Sequence, residues 1–253
     1  MDEPKKAAPA VLLPREICLF LDLDGTLIDF ADHPRDVRVD GLLIESLREL
    51  QAALEGALAL ISGRRIAEMD RILHPLRLPA AGVHGLERRD AQGMLHQSGV
   101  EESELHAARV ALTQMASAHP GLLIEDKGSA LAVHFRAAPH LKEQVYALVP
   151  AIVAPLSPRY ELLRGDMALE IKPAACDKGL AVESFMAEAP FKGRRPVYVG
   201  DDITDYDAFS AVENHAGVTV AVGTRVHAQW QLADPAAVLD WLRRITQAGV
   251  RHG

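Results

Sequence analysis

The feature that most constrains the fold is recurrent: apolar runs of strand length that halt at small or acidic residues. Ile17 to Leu21 stops at Asp22, Ala57 to Ile61 at Ser62-Gly63, and Pro196 to Val199 at Gly200-Asp201-Asp202. Runs this short and this apolar, bounded by turn residues, read as strands buried on both faces. Between the first two, Asp40 can cap a helix whose Leu42, Leu43, Leu47, Leu50 and Leu54 share one face. A short amphipathic helix from Arg65 then leads to a third strand near Ala80 to Val83. Strand and helix in alternation predict an α/β fold on a parallel sheet.

After Gly85 the pattern changes. Gln92, Gly93, Gln97 and Ser98 loosen the chain, a helix follows with Leu105, Ala108, Leu112 and Met115 in register, and strand-like segments then come in pairs. Leu131, Val133 and Phe135 alternate with His134 and Arg136, as on a sheet with one buried face. A second helix sets Leu141, Val145, Leu148 and Ile152 on one stripe, and strands follow at Arg159 to Leu163 and Met167 to Ile171. From Asp177 the first pattern returns, ending in a helix opened by Asp234-Pro235. The expected layout is a core of residues 1–87 and 173–253 split by an α+β insert of residues 88–172.

A formal net charge of -8, with no cluster of Lys and Arg among aromatic residues, argues against nucleic acid or an anionic membrane as partner. An anionic substrate would need a local cation. Cys18 and Cys176 make neither a metal quartet nor a disulfide framework, which suits a reducing compartment. The start carries acidic residues and a short apolar run before Pro14, unlike a secretory signal, and no run approaches the roughly 20 apolar residues of a membrane span. The chain reads as cytoplasmic and monomeric.

In an open parallel sheet, ligands bind beyond the carboxyl ends of the strands. The first strand ends in Asp22-Leu23-Asp24-Gly25-Thr26, with carboxylates at i and i+2 that point the same way, and Gly25 permits a sharp turn. Two carboxylates facing one volume repel unless a cation shares the site, and a hard ion such as Mg²⁺ meets that need and also binds phosphate. Asp201, Asp202 and Asp205 at another strand end supply further oxygens. With phosphate bound, Asp22 can attack phosphorus, Asp24 can protonate the leaving oxygen and then activate water, and Ser62 and Lys178 can donate to the transferring oxygens.

Asp22-Leu23-Asp24-Gly25-Thr26-Leu27, Ser62-Gly63-Arg64, Lys178-Gly179 and Gly200-Asp201-Asp202-Ile203-Thr204-Asp205 follow the order of the four motifs of haloacid-dehalogenase-like phosphatases. The resemblance implies a Rossmann-like core with an inserted cap of the C2 type. It further implies Mg²⁺ held by Asp22, the backbone carbonyl of Asp24, and Asp201, with Asp202 and Asp205 close by. Within the insert, Glu125-Asp126-Lys127-Gly128, His134-Phe135-Arg136 and Glu170-Ile171-Lys172-Pro173, together with Gly82-Val83-His84-Gly85 in the core, resemble the trehalose-6-phosphate phosphatase family. That implies hydrolysis of a sugar phosphate, with Glu125, Lys127 and Glu170 bonding the sugar hydroxyls and Arg64, His84 and Arg136 as further substrate contacts. Tyr206 departs from the family, whose last motif carries an acidic residue there.

Blander readings exist for each residue. Ser62, Asp202 and Asp205 could be helix caps, and the insert's charged residues a solvated face. Rival functions are a phosphatase for another sugar phosphate such as sucrose 6-phosphate, a non-catalytic sugar-phosphate sensor, and a phospho-aspartate receiver. The receiver is too short to match this length and lacks a counterpart to Asp24.

Overall fold

A computed structural model of the chain describes residues 12–29, 37, 39–97, 102–165 and 167–251. They fall into two compact units, one from Met1–His96 with Asp177–Gly253 and the other Gln97–Cys176.

The first unit begins with β1 (Ile17–Leu21), α1 (Gly41–Ala53), β2 (Leu58–Ile61), α2 (Ile66–Ile72), β3 (Ala80–Gly82), β4 (Glu87–Arg89) and β5 (Leu95–Gln97). The second unit then supplies α3 (His106–Ala118), β6 (Leu123–Asp126), β7 (Leu131–His134), α4 (Lys142–Val153), β8 (Tyr160–Gly165) and β9 (Ala168–Pro173). Back in the first unit come α5 (Lys178–Met186), β10 (Arg195–Gly200), α6 (Tyr206–Asn214), β11 (Val218–Val222), β12 (Trp230–Leu232) and α7 (Pro235–Arg251). Among the described residues no helix is long and apolar enough to cross a membrane.

The large sheet has the order β12-β11-β10-β1-β2-β3-β4-β5 and is parallel from β12 to β3. Strand β1 is wholly buried because it is central, with Leu19 paired to Val197 on one side and to Leu58 on the other. The chain leaves β1 toward β2 and returns on the opposite side as β10. Their carboxyl ends therefore flank a switch point, where crossovers diverge and leave a crevice. Phe20 of β1 stacks on Phe191 at 5.4 Å, and Phe185 of α5 lies 5.0 Å from the same ring. Asp40 caps α1 by accepting from the Leu43 amide at 2.9 Å. Leu43, Leu47 and Leu50 of that helix, and Leu54 just past it, are buried, each contributing about 1.5–3 kcal/mol.

The second unit is an antiparallel sheet, β6-β7-β9-β8. Its buried cluster joins Leu131, Val133, Leu169 and Ile171 to Leu112 of α3 and Val145 and Val149 of α4. Side chains alternate along a strand, so Glu125, His134 and Glu170 stand on the face opposite that cluster.

Several details differ from the sequence reading. Leu42 and Leu148 are exposed, at 53% and 44%, because the buried stripes run through Leu43 in α1 and through Val145, Val149 and Val153 in α4. Residues 88–96, assigned to the insert, carry most of β4 and of β5, which extend the large sheet; β4 pairs antiparallel with β3. Three-residue strands give a period-2 signal too short to read. Val83 is not in β3, for it takes a left-handed conformation at φ 48°.

Candidate active site

Asp22 follows directly on the buried β1, and its amide donates to the Val199 carbonyl of β10 at 3.0 Å, so the sheet itself fixes the carboxylate's base. Lys178 opens α5 because Asp177 caps that helix, accepting from Leu180 N at 2.7 Å. A cation in a first helical turn opposes the helix dipole. Two carboxylates more than offset this: Lys178 Nζ lies 3.0 Å from Asp22 Oδ1 and donates to Asp205 Oδ1 at 2.6 Å. All three groups are buried. Asp205 is held in turn by the Tyr198 hydroxyl at 2.7 Å and the Asp202 amide at 2.9 Å.

Asp201 ends β10. Its Oδ1 accepts from Thr26 Oγ1 at 3.4 Å and its Oδ2 pairs with Arg225 at 2.9 Å. Gly25 stands at φ +76°, and a Cβ there would collide with the Asp201 carboxylate, so the bare residue 25 leaves that carboxylate its place beside the first strand end.

Asp24 faces a second group of residues. Arg64 donates to it at two points, Nε to Oδ2 at 2.6 Å and Nη2 to Oδ1 at 2.7 Å. Ser62 Oγ accepts from the Arg64 amide at 3.2 Å, and the loop after β3 is knitted to the same turn by His84 N on Ser62 O and Val83 N on Arg64 O, both 3.0 Å. That loop holds Val83 and His84 at φ 48° and 56°, a conformation costly for a β-branched residue. It brings the buried His84 ring against Gly63, where a Cβ would lie 2.9 Å from the imidazole.

Burial, reinforced by Asp205 and Asp201, pushes Asp22 well above the usual carboxylate range despite the pull of Lys178. Burial likewise raises Asp201 to about 7, against the pull of Arg225. Burial disfavours the ammonium of Lys178, but Asp205 and Asp22 outweigh it and hold the charge firmly. Asp22, Asp201 and Asp205 offer oxygens all within 4.8 Å of one another. Hard carboxylate oxygens this close, with Asp22 and Asp201 both pushed toward their protonated forms, fit a divalent cation.

In the second unit, Lys127 Nζ donates to Glu170 Oε1 at 2.8 Å and His134 Nε2 bonds Glu125 Oε2 at 2.7 Å. Burial raises Glu125, yet the His134 bond and Lys127 outweigh it and leave its carboxyl below the ordinary value. Arg136 lies half-buried just beyond β7.

Thr26, Tyr198 and Arg225 join the site without a role expected from the sequence. Thr26 sits inside the first motif and was within reach. Tyr198 lies mid-strand among apolar neighbours and Arg225 in a loop after β11, so only folding reveals their partners.

A parallel sheet with acidic residues at its central switch point, a lysine on the nucleophile candidate and an α+β insert defines a phosphatase of the haloacid-dehalogenase type. A solved phosphatase described as belonging to that superfamily, from Bacteroides thetaiotaomicron, shares the fold with TM-score 0.60 at 15% identity, over 93% of this chain and 95% of its own. The family model described as trehalose-phosphatase matches residues 20–240, and the chain belongs to that family. The trehalose-6-phosphate phosphatase of Escherichia coli (strain K12) is 40% identical over 249 residues, 98% of this chain and 92% of its own. The C-terminal domain of the C. albicans trehalose-6-phosphate phosphatase superposes with TM-score 0.80 at 20% identity, covering 92% of each chain.

Proposed function

We propose that the chain is a Mg²⁺-dependent phosphatase that hydrolyses trehalose 6-phosphate to trehalose and phosphate through an aspartyl-phosphate on Asp22. The observation that carries this reading is the buried contact of Lys178 with Asp22 beside Asp201 and Asp205. It is joined to membership of the trehalose-phosphatase family.

Asp22, the Asp24 carbonyl and Asp201 would hold the ion, with Asp202 and Asp205 close by. A bound dication neutralises these acids and draws charge from the phosphoryl oxygens. Asp22 attacks phosphorus while the bond to the sugar oxygen breaks, and Asp24 gives that oxygen its proton. Asp24 then takes a proton from water as the water attacks the acyl-phosphate, releasing phosphate and restoring Asp22. Lys178 and Ser62 donate to the oxygens that gain charge during both displacements. Arg64 fixes the plane of the Asp24 carboxylate by its two-point grip.

Sugar recognition is assigned to the second unit, through Glu125, Lys127 and Glu170. Pre-paired charges on a sheet face offer directional donors and acceptors to many hydroxyls. His84 and Arg136 are proposed as further substrate contacts. Buried cysteines outside any disulfide, Cys18 and Cys176, suit the cytoplasm, where the chain would act as a monomer.

Phosphate release over a panel of sugar phosphates, with Mg²⁺ and with chelator, tests the reading. Trehalose 6-phosphate should turn over fastest and chelator should stop it. Faster release from sucrose 6-phosphate would overturn the substrate.

A further inference from the structure

Arg225 stands where the site's charge is most crowded. Its Nη2 lies 2.9 Å from Asp201 Oδ2 and its Nη1 lies 3.7 Å from Asp202 Oδ1. The loop that carries it is well anchored. Gly223 N donates to Leu232 O at 3.0 Å, Gln231 donates back to the Gly223 carbonyl, Val226 is fully buried, and Gln229 N donates to Thr219 Oγ1 at 3.1 Å. The guanidinium is thus held against Asp201 by the fold of the loop.

We propose that Arg225 is a built-in counter-ion of the metal site, which holds the charge of Asp201 and Asp202 before a dication binds and weakens divalent binding by competing for the same carboxylates. This rests on reading the acidic cluster as that site. A dication shared by Asp22 and Asp201 and a guanidinium held by Asp201 draw on one negative charge and repel each other. The two roles have opposite signs. Without metal, Arg225 offsets the repulsion among buried acids; with metal, it is an extra positive charge beside a cation. Its side chain is 38% exposed, which screens the repulsion and makes the effect a moderate one. The consequence is a metal site that exchanges its ion more readily than the acids alone would allow.

Mn²⁺ and Mg²⁺ titrated calorimetrically into the chelator-stripped full chain, without substrate, test this. Arg225→Gln should bind either metal roughly three- to tenfold more tightly than the unaltered chain, by loss of one neighbouring cation. The same variant should melt lower in chelator. Arg225→Lys, which keeps the charge, should bind metal within about twofold of the unaltered chain. Equal or weaker binding by Arg225→Gln overturns the proposal, as does Arg225→Lys behaving like Arg225→Gln. If the unaltered chain binds neither ion, the metal site itself fails, and the proposal with it.

Discussion

Arg64 grips Asp24 at two points, at 2.6 and 2.7 Å, the short end expected of a charge-assisted guanidinium–carboxylate pair. The sequence offered Arg64 as a substrate contact, and in the structure its guanidinium holds the proposed acid and base. A fork can do this and an ammonium cannot. Arg64→Lys is therefore expected to lower kcat on trehalose 6-phosphate by about 10–100-fold with KM nearly unchanged, a part of what general acid–base catalysis supplies. A rise in KM alone, read from steady-state kinetics, would return Arg64 to substrate binding.

The Lys127–Glu170 pair lies on the sheet face of the second unit, with Lys127 buried and Glu170 nearly so at side-chain exposures of 8% and 12%. Glu170→Ala should cut kcat/KM on trehalose 6-phosphate by about 10–100-fold, the scale of lost hydrogen bonds to a polar substrate. Activity on a small aryl phosphate should fall far less. The change should also lower stability, because it removes one carboxylate partner of the buried Lys127 ammonium, while Glu170→Gln should cost less. Equal losses on both substrates would remove this face from recognition.

Without metal, folding makes Asp22 and Asp201 hold their protons more tightly than in the unfolded chain, Asp201 up to about 7 from 3.8. The native state then binds more protons than the unfolded state between those values, so stability falls as pH rises through this window. In chelator the melting temperature should drop from about pH 5 to about pH 8 more steeply than in Asp201→Asn, with Asp201 accounting for on the order of 2–4 kcal/mol. Added Mg²⁺ should stabilise most at the alkaline end. Parallel pH profiles for the two proteins would contradict this.

The site was legible in the sequence where chemistry coincides with a change of pattern. Asp22, Ser62 and Asp201 each end a continuous apolar run, and Lys178 follows a capping Asp177, so their place at strand ends and a helix start could be read directly. Pairings between distant segments could not. Nothing near Arg64 in the chain points to Asp24, and nothing in Val218 to Val222 announces that Arg225 will meet Asp201. In the fold, long buried strands such as β1 and β10 were plain, while β4, β5 and β12, each of three residues, carried too little periodicity. Leu42 and Leu148 misled because an apolar residue one step off the buried stripe looks like a member of it.

On the proposed mechanism, Asp22 carries the phosphoryl group between the two displacements. Acid quenching during turnover of trehalose 6-phosphate with Mg²⁺, followed by mass spectrometry of the digested protein, tests this most directly. The peptide containing Asp22 should gain the mass of one phosphoryl group, lost on alkaline treatment and absent in Asp22→Asn, which should release no phosphate. A phosphoryl group found on a different peptide, or near-normal turnover by Asp22→Asn, would rule Asp22 out as the nucleophile.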